Sequence, residues 1–320
     1  MLALDADRLA ADEEAALGMK NDGLVHRAQK LRRGEIGSII LVGSPTSGND
    51  TEHKSHLKEY NELQRIAVEE SPNGIPLIYG LDVIHGHKTV YPVPLASAAS
   101  FNGELIRRCY RNIAEEAAAD GIHWTFSPML DMGRDPRWGR IVEGPGEDPL
   151  VGAMLAKAAI EGFQNGDISR EDSLAACAKH FIGYGASEGG RDYAHTEISD
   201  YALYNYYLPA FRQAVNSGVA TVMSSFNDIN GQPVTSSKKY LTDILRDMLG
   251  FEGYVVSDWG SVYQLLIQGV ADDKAHCAEL AIDAGVDMDM CTGYYSDSLA
   301  KLVKEGRVTE ETVNTAVRRV

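Results

Sequence analysis

The composition of the chain limits the classes of ligand that it can bind. Its 320 residues carry 46 acidic and 30 basic side chains, which give a formal net charge of −16 at neutral pH. This excess of negative charge argues against nucleic acid or an anionic membrane as a partner, and it favours a neutral or cationic ligand such as an uncharged sugar. An apolar content of 44% is enough for the core of one large α/β barrel or of two medium domains.

Neither the cysteines nor the amino end carries a recognisable structural or targeting signal. The four cysteines lack the spacing of a zinc site or a redox motif, so we expect free thiols rather than disulfides. The first residues are acidic where a signal peptide is basic, and no apolar stretch reaches about 18 residues. The sequence as written therefore predicts a cytoplasmic protein, whereas a truncated amino end would leave a periplasmic or secreted location open. The cysteines are Cys109, Cys177, Cys277 and Cys291.

From about residue 37 onward, short β-branched runs alternate with segments of helical period. This pattern predicts repeated βα units and a parallel sheet. The predicted strands cover residues 37–42, 75–81, 124–127, 175–181, 219–225, 254–257 and 286–290. The predicted helices cover residues 56–69, 104–119, 153–164, 201–217 and 274–284.

The alternation favours an α/β fold of the TIM-like eight-stranded barrel type, in one domain. The pattern predicts seven strands, and the acidic, alanine-rich amino end does not predict an eighth strand. The barrel is therefore expected to be incomplete at its amino end. No low-complexity linker divides the chain. We expect a helical amino-terminal segment over residues 1–33 and the barrel over residues 34–320.

Polar residues stand where the predicted strands end, at the edge where barrel enzymes build their active sites. Asp258 follows the strand at 254–257 and is itself followed by Trp259. An aspartate here either faces a cleft or caps the next turn, and its position alone favours neither. Asp82 ends an earlier strand and precedes His85 and His87, which we expect to serve mainly in structural hydrogen bonds because two histidines are too few to hold a metal.

Two further segments concentrate charge. Residues 131–149 hold three arginines, five acids and Trp138, so most of these charges are expected to form internal ion pairs, with one arginine left to face a ligand. Lys179 and His180 end an otherwise apolar strand, where an unpaired charge is costly.

Three aspartates at predicted strand ends allow two mechanisms; they are Asp82, Asp258 and Asp287. If the three carboxylates converged, they would hold Mg²⁺. Alternatively, one of them attacks a sugar carbon while the others hold hydroxyl groups.

These motifs, in this order, resemble the N-terminal barrel of glycoside hydrolase family 3, and in particular its β-glucosidase branch. The resemblance extends over residues 34–320. It rests on five blocks, at residues 80–86, 135–140, 179–181, 189–193 and 257–259.

The resemblance implies a retaining, exo-acting β-glucosidase that needs no cofactor or metal. It assigns Asp258 as the nucleophile, with the lysine and arginine beside it expected to hold its pKa low. The residues implied to hold sugar hydroxyls are Asp82, Arg140, Lys179 and His180. The residues implied to line the pocket are Met223, Phe226 and Trp259, although Phe226 often aligns with a tyrosine in the family.

The acid/base is where the sequence departs from the family pattern. In this branch it comes from a following α/β sandwich domain, which the sequence as written does not contain, so a separate domain or a second subunit is expected to supply it. The hexosaminidase branch uses a loop histidine, but residues 182–185 do not match that loop, and His195 is the remaining substitute. Three alternatives to the β-glucosidase interpretation stay open: a barrel that binds a sugar without turnover, a magnesium-dependent barrel enzyme, and a preference for xylosides or arabinosides.

Overall fold

The computed structural model describes residues 23–40 and 57–320. Within them, six parallel strands form one curled sheet in the order β1-β2-β3-β4-β5-β8, and β6 and β7 form a short antiparallel hairpin. The strands are β1 Ser38–Ile40, β2 Ile78–Leu81, β3 Trp124–Thr125, β4 Ala175–Phe181, β5 Thr221–Ser224, β6 Asp228–Ile229, β7 Gln232–Pro233 and β8 Tyr254–Val256. The parallel strands follow one another around the sheet in the order of the chain, and helices connect them. This arrangement is that of a TIM-like α/β barrel, which confirms the predicted fold class.

The predicted strand at 286–290 is a single parallel bridge between Val256 and Met288 rather than a regular strand. The backbone N–H groups of Asp287 and Met288 both donate to the carbonyl of Val255, at 2.8 and 3.0 Å. The Asp287 carboxylate accepts the Val255 N–H at 2.8 Å, and so occupies a donor that a regular ladder would use. The other predicted strands are present and mostly shorter; residues 41 and 42 of the first lie outside the described residues.

Helices connect the strands and pack outside the sheet. They are α1 Gly23–Arg32, α2 Leu57–Glu69, α3 Pro94–Ala98, α4 Gly103–Ala119, α5 Pro149–Gln164, α6 Asp200–Ala202, α7 Leu208–Asn216, α8 Ser261–Ile267, α9 Lys274–Ala284, α10 Tyr294–Lys304 and α11 Glu310–Arg319. Two π-helical segments are Leu203–Tyr207, which joins α6 to α7, and Lys239–Met248. None of the helices in the described part of the chain is long and apolar enough to span a membrane.

Capping residues fix where α5 begins, four residues earlier than its apolar periodicity predicts. The Asp148 carboxylate accepts the N–H groups of Leu150 and Val151, and Pro149 stands at the first helical position. This satisfies two of the free donors at a helix start, and proline is preorganised there. The helix ends at Asn165, which adopts a left-handed conformation.

The sheet separates two apolar regions. Inside the barrel lie Trp124, Phe126, Met223 and Tyr254, and the Trp124 indole N–H donates to the Thr221 hydroxyl at 2.9 Å. The larger core lies between the outer face of the sheet and the helices. All four cysteines are free thiols, as the sequence predicts.

A buried ion cluster ties the end of the chain to the barrel. The Asp287 carboxylate contacts Arg246 from the π-helix Lys239–Met248 and Arg319 from α11, in addition to the Val255 N–H. Three elements are thus fixed by one carboxylate. Because both carboxylate oxygens of Asp287 are occupied in this cluster, they are not available to join Asp82 and Asp258 in holding a Mg²⁺ ion.

Helix α5 packs closely against α4 at Gly162, which generates a prediction about stability. A Cβ at this position would lie 2.6 Å from Tyr110 Cβ and 2.7 Å from the Arg107 carbonyl oxygen. We expect Gly162→Ala to lower the free energy of unfolding by about 1–3 kcal/mol through overpacking, measured by urea denaturation. Gly37→Ala is the control because its Cβ meets no atom within 4 Å. Equal stability of the Gly162→Ala variant and the parent would contradict the close packing.

Candidate active site

Asp258 leaves the carboxyl end of β8 and lies at the mouth of the barrel with only 6% of its surface exposed. Its Oδ1 accepts the backbone N–H of Trp259 at 2.6 Å. Its buried Oδ2 makes no hydrogen bond within the described residues and lies 3.2 Å from the Nε2 atom of His180. One carboxylate oxygen is therefore held by the backbone while the other is left available.

Lys179 and Asp82 form an ion pair across two strands that are not adjacent. The Lys179 Nζ donates to Asp82 Oδ1 at 2.8 Å, with the lysine side chain 5% exposed and the aspartate side chain 44% exposed. The pair joins β4 to the end of β2. The buried ammonium therefore has a counter-ion, as burial of a charge requires.

His180 lies between two carboxylates. Its backbone N–H donates to Asp131 Oδ2 at 3.0 Å, and its ring Nδ1 lies 2.7 Å from the same oxygen. Both residues are almost completely buried. The ring therefore has Asp131 on one side and Asp258 on the other.

Arg140 belongs to the charged loop after β3. Its Nε and one terminal nitrogen bind Glu143 in a bidentate pair, at 2.8 and 3.0 Å. Its guanidinium also lies over the Tyr184 ring, 5.6 Å from the centroid. The loop pairs Arg137 with Asp135 in the same way, which agrees with the internal ion pairs predicted for it.

Aromatic rings line the same region. Tyr184 packs edge-on against Trp138 and His180, with centroids 5.2 and 5.1 Å apart. Phe226 lies 6.2 Å from the His180 ring, and Trp259 contacts both this cluster and the barrel interior. These rings provide apolar faces next to the polar groups of the mouth.

Burial dominates the ionisation of the site. It raises the pKa of Asp258 to about 7, although the nearby Arg140, Lys179 and the Trp259 N–H act in the lowering direction. The sequence-based expectation of a low pKa for Asp258 is therefore wrong. Both cations are already paired, with Glu143 and Asp82, so their net field at Asp258 is reduced. Burial together with the charges of Arg140 and Lys179 also lowers the pKa of His180, which favours a neutral ring.

The structure places the predicted polar residues Asp82, Lys179, His180 and Asp258 in one contiguous network, and Arg140 close enough to act on Asp258. Met223 is buried in the barrel interior below the mouth. Two acids of the site were not predicted as site residues: Asp131, which contacts His180, and Glu143, which pairs with Arg140. Both acids lie in the charged loop at residues 131–149, but nothing in the spacing of its five acids distinguished the one that contacts His180.

Other residues that the motifs singled out lie in different contacts. His85 bonds the Tyr91 carbonyl at 2.7 Å, and His87 bonds Asp120 at 2.8 Å, so both serve the loop structure. His195 is exposed and lies 2.5 Å from Asp228, which raises the pKa of its ring. Within the described residues, no group of three or more potential ligands could hold a metal ion.

A curled parallel sheet with buried acids, paired cations and aromatic rings at its carboxyl edge defines the catalytic type of α/β barrel. The chain belongs to glycosyl hydrolase family 3: the model of the family's N-terminal domain matches residues 17–320.

Similar proteins extend well beyond the matched region. The periplasmic beta-glucosidase of Salmonella typhimurium is 41% identical over 292 residues, 91% of this chain and 37% of that protein. A putative beta-xylosidase of Formosa agariphila is 34% identical over 291 residues, 88% of this chain and 38% of that protein. The crystal structure of the beta-glucosidase from Listeria innocua in complex with glucose matches with a TM-score of 0.82 and 39% identity, over 88% of this chain and 38% of that one. The chain thus spans little more than a third of these relatives.

The contrast between two aspartates of the site region can be measured directly. We expect the Asp258 carboxyl to titrate with a pKa of about 7 and that of the Arg137-paired Asp135 with a pKa of about 2. Carbon-13 NMR of protein labelled at aspartate carboxyls would follow both groups, with Asp258→Asn and Asp135→Asn assigning the signals. A midpoint for Asp258 below 4 would mean that the cations outweigh burial, contrary to this account.

Proposed function

We propose that this chain is the barrel of a retaining β-glucosidase, which removes terminal β-D-glucosyl residues through a covalent glycosyl-Asp258 intermediate. The observation that carries the proposal is Asp258 Oδ2, a buried carboxylate oxygen at a strand end that makes no hydrogen bond within the described residues. A nucleophile needs such an oxygen, because a hydrogen bond to it must weaken or break before the oxygen can attack. The family and the β-glucosidase relatives support the substrate class.

In the proposed reaction, Asp258 Oδ2 attacks the anomeric carbon and the bond from that carbon to the leaving oxygen breaks. The product of this step is a glycosyl ester on Asp258, and the leaving oxygen takes a proton from a general acid. Water, deprotonated by the same group acting as a base, then attacks the anomeric carbon and releases the sugar and the free carboxylate. The Trp259 N–H keeps Oδ1 in place throughout.

The residues around Asp258 are suited to hold a sugar. Asp82 offers acceptor oxygens and Lys179 offers donors, so the pair can replace its mutual contact with hydroxyl groups of both kinds. Arg140 presents a guanidinium beside an aromatic wall. We propose that Asp82, Arg140, Lys179 and His180 bind hydroxyls, and that Met223, Phe226 and Trp259 line the subsite.

The general acid/base is proposed to come from a domain or subunit other than this barrel. The relatives' additional length is consistent with such a contribution. His195 is the alternative within the chain, because Asp228 raises its pKa and favours the protonated ring that a general acid requires. The cytoplasmic location stays a prediction of the sequence.

Glucoside preference is the substrate assignment proposed first, and the β-xylosidase relative supplies the alternative. Comparison of kcat/KM for an aryl β-glucoside and the matching aryl β-xyloside would decide between them. Calorimetry with glucose, run beside the rate assay, would identify a barrel that binds the sugar without turning it over.

The covalent intermediate can be trapped. We expect a 2-deoxy-2-fluoro-β-glucoside with an activated leaving group to add one fluoroglucosyl group to the protein, and peptide mass mapping to place it on Asp258. An activated leaving group needs little protonation, so the trapping does not depend on the acid/base. Asp258→Asn should take no label. A label on another residue, or turnover without any label, would rule out this nucleophile.

The dependence on leaving group tests where the acid comes from. General acid catalysis contributes about 10²- to 10⁴-fold, so the chain alone should hydrolyse cellobiose far more slowly, relative to an activated aryl glucoside, than a complete enzyme does. Steady-state rates with both substrates are the measurement. His195→Gln should leave both rates unchanged if the acid lies outside the chain. Comparable rates on the two substrates would show that the barrel contains its own acid, and a selective loss of cellobiose activity in His195→Gln would identify it.

A further inference from the structure

Asp131 is a buried carboxylate whose side-chain hydrogen bonds to described residues all involve one residue of the site, His180. It is 2% exposed, and its Oδ2 accepts the backbone N–H of His180 at 3.0 Å while lying 2.7 Å from the ring Nδ1. Its Oδ1 is buried and has no hydrogen-bond partner within the described residues. Asp131 therefore acts on the site through His180.

The double contact restricts which ring nitrogen of His180 carries the proton. The backbone N–H is a permanent donor, so the oxygen facing it must be an acceptor. The same oxygen faces Nδ1. With Asp131 ionised, this oxygen can only accept, so Nδ1 has to be the protonated nitrogen in order to form a hydrogen bond. In a neutral ring the proton on Nδ1 leaves Nε2 with a lone pair, directed toward the side where Asp258 Oδ2 lies at 3.2 Å.

The surroundings keep the ring in this orientation. Tyr184 packs against it edge-on with centroids 5.1 Å apart, and Phe226 lies on another side at 6.2 Å. The positive charges of Arg140 and Lys179 act against a second proton on the ring. Within the part of the chain that the structure describes, the charged groups acting on the ring are these two cations and the carboxylates of Asp131 and Asp258.

We propose that Asp131 is a positioning residue for the reaction, which holds His180 in the Nδ1–H tautomer so that Nε2 accepts a hydrogen bond and does not donate one to Asp258. A proton on Nε2 would be donated to Oδ2, the oxygen that attacks, and would lower its nucleophilicity. With a lone pair on Nε2, the ring instead accepts from a sugar hydroxyl. The inference rests on the proposed function, in which Asp258 is the nucleophile.

The geometry predicts different effects for two substitutions at this position. In Asp131→Asn, the backbone N–H of His180 requires the amide oxygen, not the amide NH₂, at the position of Oδ2. The oxygen would then also accept from Nδ1–H, so the asparagine should keep the tautomer. Asp131→Ala removes the acceptor for both donors and frees the ring to carry its proton on Nε2.

The tautomer can be measured without any activity. Nitrogen-15 NMR of histidine-labelled protein distinguishes the two neutral tautomers and the protonated ring, and His180→Gln identifies the signals. We expect the Nδ1–H form at pH 7 in the parent chain and in Asp131→Asn, and its loss in Asp131→Ala. An Nε2–H or doubly protonated ring in the parent chain would overturn the proposal, even if Asp258 is shown to be the nucleophile.

The kinetic test follows the rate of fluoroglucosyl labelling at Asp258. We expect a loss on the order of 10- to 100-fold in Asp131→Ala, by analogy with the residues that orient metal-bound histidines, and recovery of most of this rate in Asp131→Asn. Asp289→Asn is the matched control. Asp289 also uses one oxygen for several donors and leaves the other buried without a partner within the described residues, but its donors are the Thr292 hydroxyl and the N–H groups at the start of α10. The control should keep the parent rate and the His180 tautomer.

The results of these experiments test the role of Asp131 separately from the proposed β-glucosidase function. An Asp131→Asn variant that keeps the tautomer but loses as much rate as Asp131→Ala would mean that the charge, and not the acceptor, matters, and would overturn it. If Asp131→Ala does not fold, Asp131→Asn and the parent spectrum still decide. Absence of labelling in the parent chain, with the Nδ1–H tautomer present, would contradict the glucosidase proposal and leave the assigned tautomer standing.

Discussion

The central constraint of this structure is the burial of the Asp258 carboxylate at the end of β8. Removing a carboxylate from water is costly unless cations or N–H donors replace the lost hydration. The chain supplies one backbone donor directly, and it supplies Lys179 and Arg140 at a distance. Each of these cations is already paired with another acid, so it compensates only partly for the lost hydration. The pKa of the Asp258 carboxyl is therefore raised to about 7.

Incomplete replacement of the lost hydration leaves a carboxylate oxygen free to form new contacts. A carboxylate fully paired with arginine, such as Asp287, is stable but has no free oxygen with which to react. Asp258 has one oxygen fixed by the backbone and one without a hydrogen bond in the described part of the chain.

The sequence predicted the α/β barrel because alternating strand and helix runs are local signals. The members of the polar network were selected from the polar residues at strand ends by the resemblance to the family. Side-chain direction was less predictable. Strict alternation along β4 would send Lys179 and His180 to opposite faces, yet both contact carboxylates of the mouth, and the pairing of β4 with β5 shifts register between Ala178 and Phe181. A register shift depends on the neighbouring strand and leaves no mark in the sequence.

Asp131 and Asp287 illustrate why the type of a buried residue does not reveal its role. Both are buried acids that accept a backbone N–H from a neighbouring strand, Asp131 from His180 in β4 and Asp287 from Val255 in β8. Asp287 receives two guanidinium groups in addition, so its charge is neutralised and its function is to join elements. Asp131 receives an imidazole, whose protonation its acceptor oxygen can select, and the imidazole faces Asp258. The partner, which lies 49 residues away in the chain, therefore decides whether a buried carboxylate stabilises the fold or controls a proton.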